Sequence, residues 1–364
     1  MQKKINVGIL FGGKSAEHEV SLQSAKNVFD AIDREKYNPV LIGIDKSGRW
    51  ILNHSAKFLL DSSDPSDTGD LVTFVPERGG LVSNLQSPEK TISVDVVFPI
   101  LHGPFGEDGT VQGLLKLADL PFVGAGVLGS AVGMDKDVMK RLLRDGGVPI
   151  GKFRTLRSHQ ELPSFQSISD ELGLPFFVKP ANMGSSVGVS KVHNEDEYAA
   201  ALRLAFDYDT KAVIEEFIQG RELECSVLGN EEPAAALPGE VVSSHEFYSY
   251  EAKYLDEHGA ALEIPAKIPA DTAKKIQALA IKTFKVLECE GLGRVDFFLK
   301  DSGEIIVNEI NTMPGFTRIS MYPKMWEASG VSYTELIDRL IELAIARFQK
   351  EKRLRTSFSG SNPA

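Results

Sequence analysis

Near the carboxyl end of the chain, residues 293–315 have the pattern of a β-hairpin that carries several polar side chains. Asp301-Ser302-Gly303 has turn chemistry, and apolar residues alternate on both sides of it. If the hairpin closes at this turn, it pairs two sets of polar residues: Asp296 with Glu309, and Arg294 with Asn311. Period-two alternation also predicts that one face of the second strand carries Ile305, Val307, Glu309 and Asn311.

Opposed carboxylates in such a hairpin need a compensating charge. Facing side chains have Cβ atoms about 5 Å apart, and at an effective dielectric constant near 20 two negative charges there repel by about 3 kcal/mol. Asp, Glu and Asn are hard oxygen ligands, which Mg²⁺ takes alongside phosphate oxygens. An ordinary hairpin with both acids in water is the alternative, but the bulky flanking residues argue against a solvated face. We therefore predict a metal–phosphate site at Asp296, Glu309 and Asn311.

Two lysines are candidates for contacts with phosphate. Lys179 ends a predicted strand and precedes a Gly/Ser-rich turn, and a cation beside exposed backbone N–H groups suits phosphate oxygens. Lys136, at the start of a predicted helix, is the second candidate. The strand end formed by Glu215, Glu216, Phe217 and Ile218 could frame a nucleotide base. A plain hairpin turn, a solvated lysine and an ordinary strand end are the alternatives, so each motif alone is weak.

The P-loop pattern G-x-x-x-x-G-K-S also occurs, from Gly8 to Ser15. It binds phosphate only where its first glycine ends a strand and its serine opens a helix. Gly8 lies inside the apolar run Ile5–Phe11, whose bulky side chains would occupy the phosphate-wrapping loop. We therefore predict that Lys14→Ala has a mild effect on nucleotide binding, and a P-loop phosphotransferase is the weaker hypothesis.

The composition limits the class of protein. A chain of 364 residues exceeds one typical domain, and two or three domains are expected. A net charge of −11 argues against non-specific nucleic-acid binding. The two cysteines, Cys225 and Cys289, give neither a disulfide framework nor a zinc signature, which favours a reducing compartment. No apolar run approaches membrane-spanning length. We expect a cytoplasmic protein with no membrane or nucleic-acid partner.

The candidate residues need a scaffold of helices and strands. A βαβ opening is predicted from the strand Ile5–Phe11, the helix Val20–Ile32 and the strand Pro39–Ile44. The segment from His54 to Lys90 is predicted to be a surface excursion with an edge hairpin. Further strands are predicted at Val94–Leu101, Phe176–Lys179, Val187–Val192, Ala212–Phe217 and Glu222–Leu228. Further helices are predicted at Thr110–Ala118, Lys136–Arg144 and Glu195–Phe206, from Asp271, and from the capping box that begins at Ser332.

Two segments are predicted to lack regular structure. Gly124 to Gly133 is expected to be a glycine-punctuated connection between domains. Glu240 to Ile264 is aromatic and charged without clear periodicity, and is expected to be a lid or a long loop.

The order of these motifs resembles that of the ATP-grasp superfamily and, more narrowly, the D-alanine–D-alanine ligase family. The resemblance runs from about Ile5 to Ala346. Its most specific blocks are residues 12–21, His102-Gly103 with residues 106–109, the loop 179–191, and residues 250–254, 293–296 and 308–315. The fold implied is α/β, with a Rossmann-like parallel-sheet N-terminal domain followed by a two-lobed α+β ATP-grasp fold. The expected parts are residues 1–124, 125–215 and 216–350, with a disordered tail over 351–364.

The resemblance implies an enzyme that joins two D-alanine molecules with ATP, through an acyl phosphate, for peptidoglycan synthesis, and that forms a homodimer. Two Mg²⁺ or Mn²⁺ ions would be held by the three predicted ligands. The nucleotide would be bound by Lys136, Lys179, Glu215, Glu216, Phe217, Ile218, Glu222, Lys253, Phe298 and Asn308. Glu17 and His102 would bind the first D-alanine, and Ser320 and Met321 the second. Arg294 and the Gly315 N–H would stabilise the oxyanion, and Ser185 and Tyr254 would join Glu17 in a hydrogen-bonded set.

The same resemblance bears on the acceptor. Relatives that make D-alanyl-D-lactate lack the Glu-Ala-Lys-Tyr lid pattern, so Tyr254 implies an amine acceptor. Ordinary roles are the alternatives: a helix cap for Glu17, a loop histidine for His102 and a packed aromatic for Tyr254. Two other functions stay open at this point, an ATP-grasp carboxylate–amine ligase for different amino acids and an ATP-binding protein without turnover.

Overall fold

The computed structural model describes residues 3–53, 69–76, 79–243 and 260–355. The described part of the first third forms a seven-stranded sheet in the order β6-β5-β4-β3-β2-β1-β7. Its strands are β1 (Ile5–Gly12), β2 (Tyr37–Ile44), β3 (Trp50–Asn53), β4 (Asp70–Phe74), β5 (Leu81–Asn84), β6 (Thr91–Ser93) and β7 (Val96–Ile100). The helices of this part are α1 (His18–Ala31), α2 (Thr110–Leu117) and α3 (Val127–Met134).

The first sheet is mixed: the predicted βαβ opening and β7 form its parallel part, and an antiparallel part extends it. β1 pairs in parallel with β2 and β7, whereas β2 through β6 pair antiparallel in succession. A parallel pair needs a long crossover, and the connection between β2 and β3 is a short turn. The described residues of the predicted surface excursion therefore extend the sheet as β4 and β5. The rest of that prediction lies outside the described residues.

The middle of the chain forms a four-stranded sheet in the order β10-β9-β11-β8. Its elements are α4 (Lys136–Asp145), β8 (Phe153–Arg157), α5 (Phe165–Leu172), β9 (Phe176–Pro180), β10 (Ser190–Val192), α6 (Glu195–Tyr208) and β11 (Lys211–Glu216). α4 begins where the Asp135 side chain accepts the backbone N–H groups of Asp137 and Val138. This cap fixes the start of the helix that carries Lys136.

The last part of the chain forms a six-stranded sheet in which β12 is central. Its elements are β12 (Arg221–Gly229), β13 (Ala234–Ala235), β14 (Gly239–Ser243), β15 (Ala260–Glu263), α7 (Ala270–Val286), β16 (Gly291–Leu299), β17 (Ile305–Asn311), α8 (Met321–Ala328) and α9 (Tyr333–Glu351). The first and third sheets fall in residues 1–124 and 216–350, whereas β11 of the second sheet ends at Glu216, one residue past the expected boundary. The domain boundaries remain a prediction.

Three segments differ from their predictions. The glycine-rich stretch from Gly124 to Gly133 contains most of helix α3, whose small residues Gly129, Ser130 and Gly133 are buried and allow close packing against neighbouring chain. The predicted loop from Glu240 to Ile264 begins and ends in β14 and β15, which pair antiparallel. The predicted strand Val187–Val192 is reduced to β10, since residues 183–189 form the turn itself.

The helices predicted from Asp271 and from the capping box at Ser332 are present as α7 and α9. On α7, Ile276, Ala280 and Phe284 pack into the core beneath β12 and β16. α9 begins with the predicted cap, where the Ser332 hydroxyl accepts the Glu335 N–H at 3.3 Å. Within the described residues, none of the helices has the length and apolar character needed to cross a membrane.

A buried arginine joins α9 to the end of the first domain. The Arg347 guanidinium donates to the Gly124 carbonyl at 2.6 Å and the Phe122 carbonyl at 2.8 Å, and lies 4.7 Å from the centre of the Phe122 ring. Arg347→Leu would leave both carbonyls without this donor, so we expect a loss of about 3 kcal/mol in the free energy of unfolding.

Urea unfolding at neutral pH measures that loss. Arg339→Leu is the matched control on the same helix, because Arg339 makes an exposed ion pair with Glu335. Such pairs contribute about 0–1 kcal/mol. Equal losses in the two variants would contradict the role given to Arg347.

Candidate active site

A cavity of about 1200 Å³ lies between the four-stranded and six-stranded sheets, and the first domain borders it at one end. All of the predicted site residues that the structure describes line it: Glu17, His102, Lys136, Lys179, Ser185, Glu215, Glu216, Phe217, Ile218, Glu222, Arg294, Asp296, Phe298, Asn308, Glu309, Asn311, Gly315, Ser320 and Met321. Lys253 and Tyr254 lie outside the described residues. The sequence therefore identified one shared site.

The hairpin of β16 and β17 has the predicted pairing at the site. Asp296 pairs with Glu309, and Arg294 pairs with Asn311. The register shifts immediately afterwards, so that Phe297 pairs with Val307 and Asn308 is an extra residue in a β-bulge.

The bulge corrects the predicted face of β17. Val307 is buried in the core and Ile305 packs against it, although Val307 also borders the cavity, whereas Glu309 and Asn311 line the cavity without joining the core. The extra residue reverses the alternation of side chains, so the four residues that strict alternation would place on one face are divided between two faces.

Arg294 is the principal charge partner of Asp296. Its Nε and Nη2 each donate to Asp296 at 2.7 Å, and Asn311 Nδ2 donates to the same carboxylate at 3.1 Å. Burial alone would lower the pKa of Arg294, but Asp296 and Glu224 outweigh it and raise that pKa well above the ordinary value. Lys136 Nζ lies 3.5 Å from Glu309. The two opposed acids are thus balanced by one arginine and one lysine.

The donor set at this point suits a hard divalent cation. Asp296 and Glu309 offer carboxylate oxygens from adjacent strands, and Asn311 offers an amide oxygen beside them. These are the ligand types that Mg²⁺ and Mn²⁺ take. The residues present therefore fit the predicted metal site.

Across the cavity, two lysines share one buried glutamate. Lys179 Nζ lies 2.9 Å and Lys140 Nζ 3.4 Å from Glu215 Oε2. Burial would raise the pKa of Glu215, but these lysines outweigh it and lower the pKa. Burial likewise opposes the charge of both lysines: it lowers the pKa of Lys140, whereas Glu215 and other acids raise that of Lys179. The group keeps a net positive charge, which suits phosphate.

The Gly/Ser-rich turn closes over this end of the cavity. Ser185 and Ser186 have positive φ angles of 49° and 60°, a conformation that non-glycine residues rarely adopt. The strain is held by contacts: Ser185 Oγ donates to Glu17, and Lys136 Nζ donates to the Met183 carbonyl at 2.7 Å. Strained backbone of this kind concentrates at ligand-binding loops. The predicted link between Ser185 and Glu17 is present.

His102 connects the first domain to the loop that follows β17. Its Nδ1 lies 3.0 Å from the Met313 carbonyl, and its Nε2 lies 3.5 Å from Ser24 Oγ. Burial lowers the pKa of His102, so the ring is neutral at pH 7. A carbonyl only accepts, so Nδ1 carries the hydrogen and Nε2 is the acceptor. Ser24 Oγ also accepts the Phe316 N–H at 3.2 Å, which fixes the backbone beside Gly315.

The remaining predicted residues occupy two rims of the cavity. On one rim, the Phe217 ring lies 6.2 Å from that of Phe177, and Lys191 Nζ lies 4.6 Å from the centre of the Phe217 ring. On the other, Ser320 Oγ accepts the Thr317 N–H at 3.0 Å at the start of α8. The first rim is aromatic, and the second is polar.

Sequence reasoning missed several cavity residues, among them the charged Lys140, Glu224 and Glu107. Two of these three had a signal in the spacing. Lys140 lies one helical turn after Lys136, and Glu224 lies two residues after Glu222 on the same strand face. Glu107 was part of a recognised block, but nothing in the sequence indicated that its side chain would turn towards Glu17.

Glu107 has an unusually high pKa. Its Oε2 accepts the Gly103 N–H at 2.9 Å, and burial together with the charge of Glu17 raises its pKa to about 8. An ordinary glutamate titrates near pH 4.3. Between these values the unfolded chain releases the proton and the folded chain keeps it. The free energy of unfolding therefore falls as the pH rises from about 4.3 to 8.

Glu107→Gln would remove this titration. We expect the variant to gain stability relative to the parent protein as the pH rises from 5 to 8, with no further change above 8. Urea unfolding at several pH values measures the difference. Glu304→Gln, at an exposed residue of the hairpin turn, is the control. A stability difference that does not change with pH would exclude the raised pKa.

The four-stranded and six-stranded sheets enclose one cavity. A lysine cluster lies on one side of it and the carboxylates of the hairpin lie on the other. This arrangement is the ATP-grasp class of fold. Two family models match: D-ala D-ala ligase N-terminus over residues 6–125, and D-ala D-ala ligase C-terminus over residues 142–342. The chain belongs to the D-alanine–D-alanine ligase family.

Individual relatives agree with this assignment. The D-alanine–D-alanine ligase of Oceanobacillus iheyensis is 54% identical over 99% of this chain and 100% of its own length. D-alanine–D-alanine ligase A of Escherichia coli K12 is 51% identical over 98% and 100%.

Solved structures show the same similarity. The D-alanine–D-alanine ligase of Coxiella burnetii superposes with a TM-score of 0.87 at 41% identity, covering 96% of each chain. The VanG D-Ala:D-Ser ligase of Enterococcus faecalis gives 0.86 at 38% identity, covering 94% of this chain and 100% of that one. The Bacillus anthracis ligase complexed with ATP gives 0.72 at 28%, covering 95% and 99%.

Proposed function

We propose that this protein joins two D-alanine molecules to D-alanyl-D-alanine, with conversion of ATP to ADP and phosphate. The observation that carries the proposal is one cavity in which the Asp296–Glu309 pair faces the Lys179–Lys140–Glu215 cluster, with Lys136 3.5 Å from Glu309. Phosphoryl transfer depends on positioning and charge neutralisation, and this arrangement offers both. The names of the relatives support the choice of D-alanine.

The nucleotide is proposed to lie along the two sheets. Lys136 and Lys179 bind its phosphates, and the aromatic rim at Phe217 holds the base with Glu215, Glu216 and Ile218. Glu222 takes the ribose, with Phe298 and Asn308 beneath it. Lys253 contributes from outside the described residues. The Bacillus anthracis relative complexed with ATP supports nucleotide use by this fold.

The metal ligands are proposed to be Asp296, Glu309 and Asn311. Two Mg²⁺ or Mn²⁺ ions bound there would neutralise phosphate charge during transfer. For that, Arg294 must release the oxygens of Asp296 that it now contacts, and Lys136 must move from Glu309 towards phosphate. Both movements replace one charge pair by another within the same cavity.

The reaction is proposed to occur in two steps. A carboxylate oxygen of the first D-alanine attacks the γ-phosphorus, and the bond from that phosphorus to the ADP oxygen breaks. The amine of the second D-alanine then attacks the acyl-phosphate carbonyl, and the bond to phosphate breaks. Arg294 and the Gly315 N–H stabilise the oxyanion between these events, a contribution of about 3–4 kcal/mol for a well-placed donor.

The amino acids are proposed to lie at the end of the cavity bordered by the first domain. Glu17 takes the first ammonium group and, through Ser185, links it to the closed turn. His102 acts through the loop that it holds at Met313. Ser320 and the backbone at Met321 take the second carboxylate. Tyr254, outside the described residues, is proposed to complete the set and to favour an amine acceptor.

ATP-dependent phosphate release with D-alanine, compared with L-alanine, tests the proposal. We expect phosphate and dipeptide only with the D-isomer. D-serine and D-lactate are tested as acceptors in the same assay, because one structural relative is named a D-Ala:D-Ser ligase. Ester formation as fast as dipeptide formation near neutral pH would refute the amine acceptor, and absence of phosphate release would refute the ligase.

A cellular role follows from that product. We propose that the dipeptide enters peptidoglycan precursors, that the protein works in the cytoplasm, and that two copies form a homodimer. Light scattering of the purified protein measures the number of copies, and a monomer at micromolar concentration would refute the dimer.

A further inference from the structure

Arg294 lies between two carboxylates, and only one of them belongs to the proposed metal site. Its Nε lies 2.7 Å from Asp296 Oδ1 and 2.9 Å from Glu224 Oε2. Glu224 is a central residue of β12, and it pairs across the sheet with Asp296 on β16. Its side chain is 11% exposed and lines the cavity. Glu224 is therefore held beside Arg294 by the sheet itself.

The two carboxylates compete for one hydrogen. Nε of a guanidinium carries a single N–H, and the geometry gives that hydrogen to Asp296. Asp296 is engaged at both oxygens, because Nη2 and Asn311 Nδ2 donate to Oδ2. A metal ion bound at Asp296 would use the same lone pairs. Arg294 would then lose the partner that fixes its orientation.

We propose that Glu224 is a positioning residue that takes over Arg294 when Asp296 ligates metal. Only the guanidinium group of Arg294 has to rotate, since Glu224 Oε2 already lies 2.9 Å from its Nε. The guanidinium stays aimed at the oxyanion, and its charge stays neutralised. This inference rests on the proposed function, because it needs metal at Asp296.

The variant Glu224→Gln tests, without turnover, whether Glu224 holds Arg294 when metal binds Asp296. In this variant no second carboxylate attracts Arg294, so Arg294 pairs with Asp296 alone. Mn²⁺ must then displace an ion pair that is stronger than in the parent protein. We expect the Kd of Mn²⁺ in the presence of ADP, measured by electron paramagnetic resonance of free Mn²⁺, to rise about tenfold. In turnover we expect kcat to fall at least tenfold while KM for ATP changes less than threefold.

A double-mutant cycle separates positioning from the simple loss of a negative charge. In the Arg294→Gln background, Glu224→Gln should change Mn²⁺ affinity less than twofold, because no arginine is left to hold. A full tenfold change in that background would mean that Glu224 acts on the metal directly and would overturn the inference. Unchanged Mn²⁺ affinity in the single variant would also overturn it.

Glu240→Gln is the matched control. Glu240 lies on the neighbouring strand β14, is buried and borders the same cavity, but its ion-pair partner is Arg221, at 2.7 Å. It should leave Mn²⁺ affinity within twofold. If Glu224→Gln does not fold, Glu224→Asp keeps the charge but withdraws it by one methylene group. The Asp variant is expected to show a smaller rise in the Kd, and unchanged affinity there would overturn the inference.

The failure of the two proposals can be told apart. A parent protein that binds Mn²⁺ and ADP but forms no dipeptide would refute the proposed ligase. The Mn²⁺ cycle would still decide whether Glu224 and Arg294 are coupled.

Discussion

Asp296→Asn is expected to reduce turnover of ATP with D-alanine by about a thousandfold or more, while the protein stays folded. The amide keeps the shape of the side chain, and its oxygen still accepts from Arg294. It loses the negative charge that a divalent cation needs. Arg294 retains Glu224 at 2.9 Å, so the substitution leaves no buried charge alone. The loss should therefore be in chemistry and metal binding, with the melting temperature changed by a few degrees.

The measurement is steady-state ADP formation, together with Mn²⁺ binding in the presence of ADP. Asp301→Asn is the matched control, because Asp301 lies at the exposed turn of the same hairpin. It should leave both quantities unchanged. An Asp296→Asn variant that keeps a tenth of the parent activity would remove Asp296 from the metal site.

The pairing of the polar residues in the β16–β17 hairpin was predictable because these residues are close in sequence. Asp296, Glu309, Arg294 and Asn311 are paired by one short hairpin, and turn chemistry alone specifies which strands meet. The face of Val307 was not predictable, since a β-bulge depends on how the strand packs on the core and not on the turn. The pairing at the acids was correct, whereas the pairing nearer the turn was offset by the bulge.

The first sheet shows where pattern reasoning stops. The apolar runs of β1, β2 and β7 are buried on both faces and were easily recognised. β4 and β5 are short and mix buried with half-buried residues. The backbone N–H and C=O groups of such segments find partners when the segments pair with the edge of a sheet that another part of the chain forms. A short stretch of sequence around the segment contains no information about that sheet edge.

The charges of the site were predicted singly, but the structure assembles them into clusters. Lys179 was expected as a phosphate ligand, whereas its pairing with Glu215 follows from the neighbouring strands β9 and β11. Lys140 enters the same cluster from helix α4. Balances of this kind depend on distances between elements, and these set the pKa values.

Lys179→Met is expected to weaken nucleotide binding about a hundredfold, close to 2.7 kcal/mol. Glu215 lies 2.9 Å from Lys179 and 3.4 Å from Lys140, so the cluster has two positive charges and one negative. Removing Lys179 leaves Lys140 to neutralise Glu215, so this cluster no longer presents a net positive charge to the phosphates, and Lys136 alone remains. Charge-assisted contacts of this type contribute about 1.5–3 kcal/mol.

Calorimetric titration with ADP and Mg²⁺ measures the change in affinity without catalysis. Lys140→Met removes the other lysine of the cluster. Lys179 then contacts both Glu215 and phosphate, and it stays in place because it is the lysine nearer to Glu215. The affinity for ADP should therefore fall less than in Lys179→Met. Lys275→Met, on the exposed face of α7, controls for the loss of a lysine. If Lys179→Met bound ADP as tightly as Lys275→Met, phosphate would have to lie elsewhere in the cavity, since a buried cluster that loses its only net charge cannot keep an anion at full affinity.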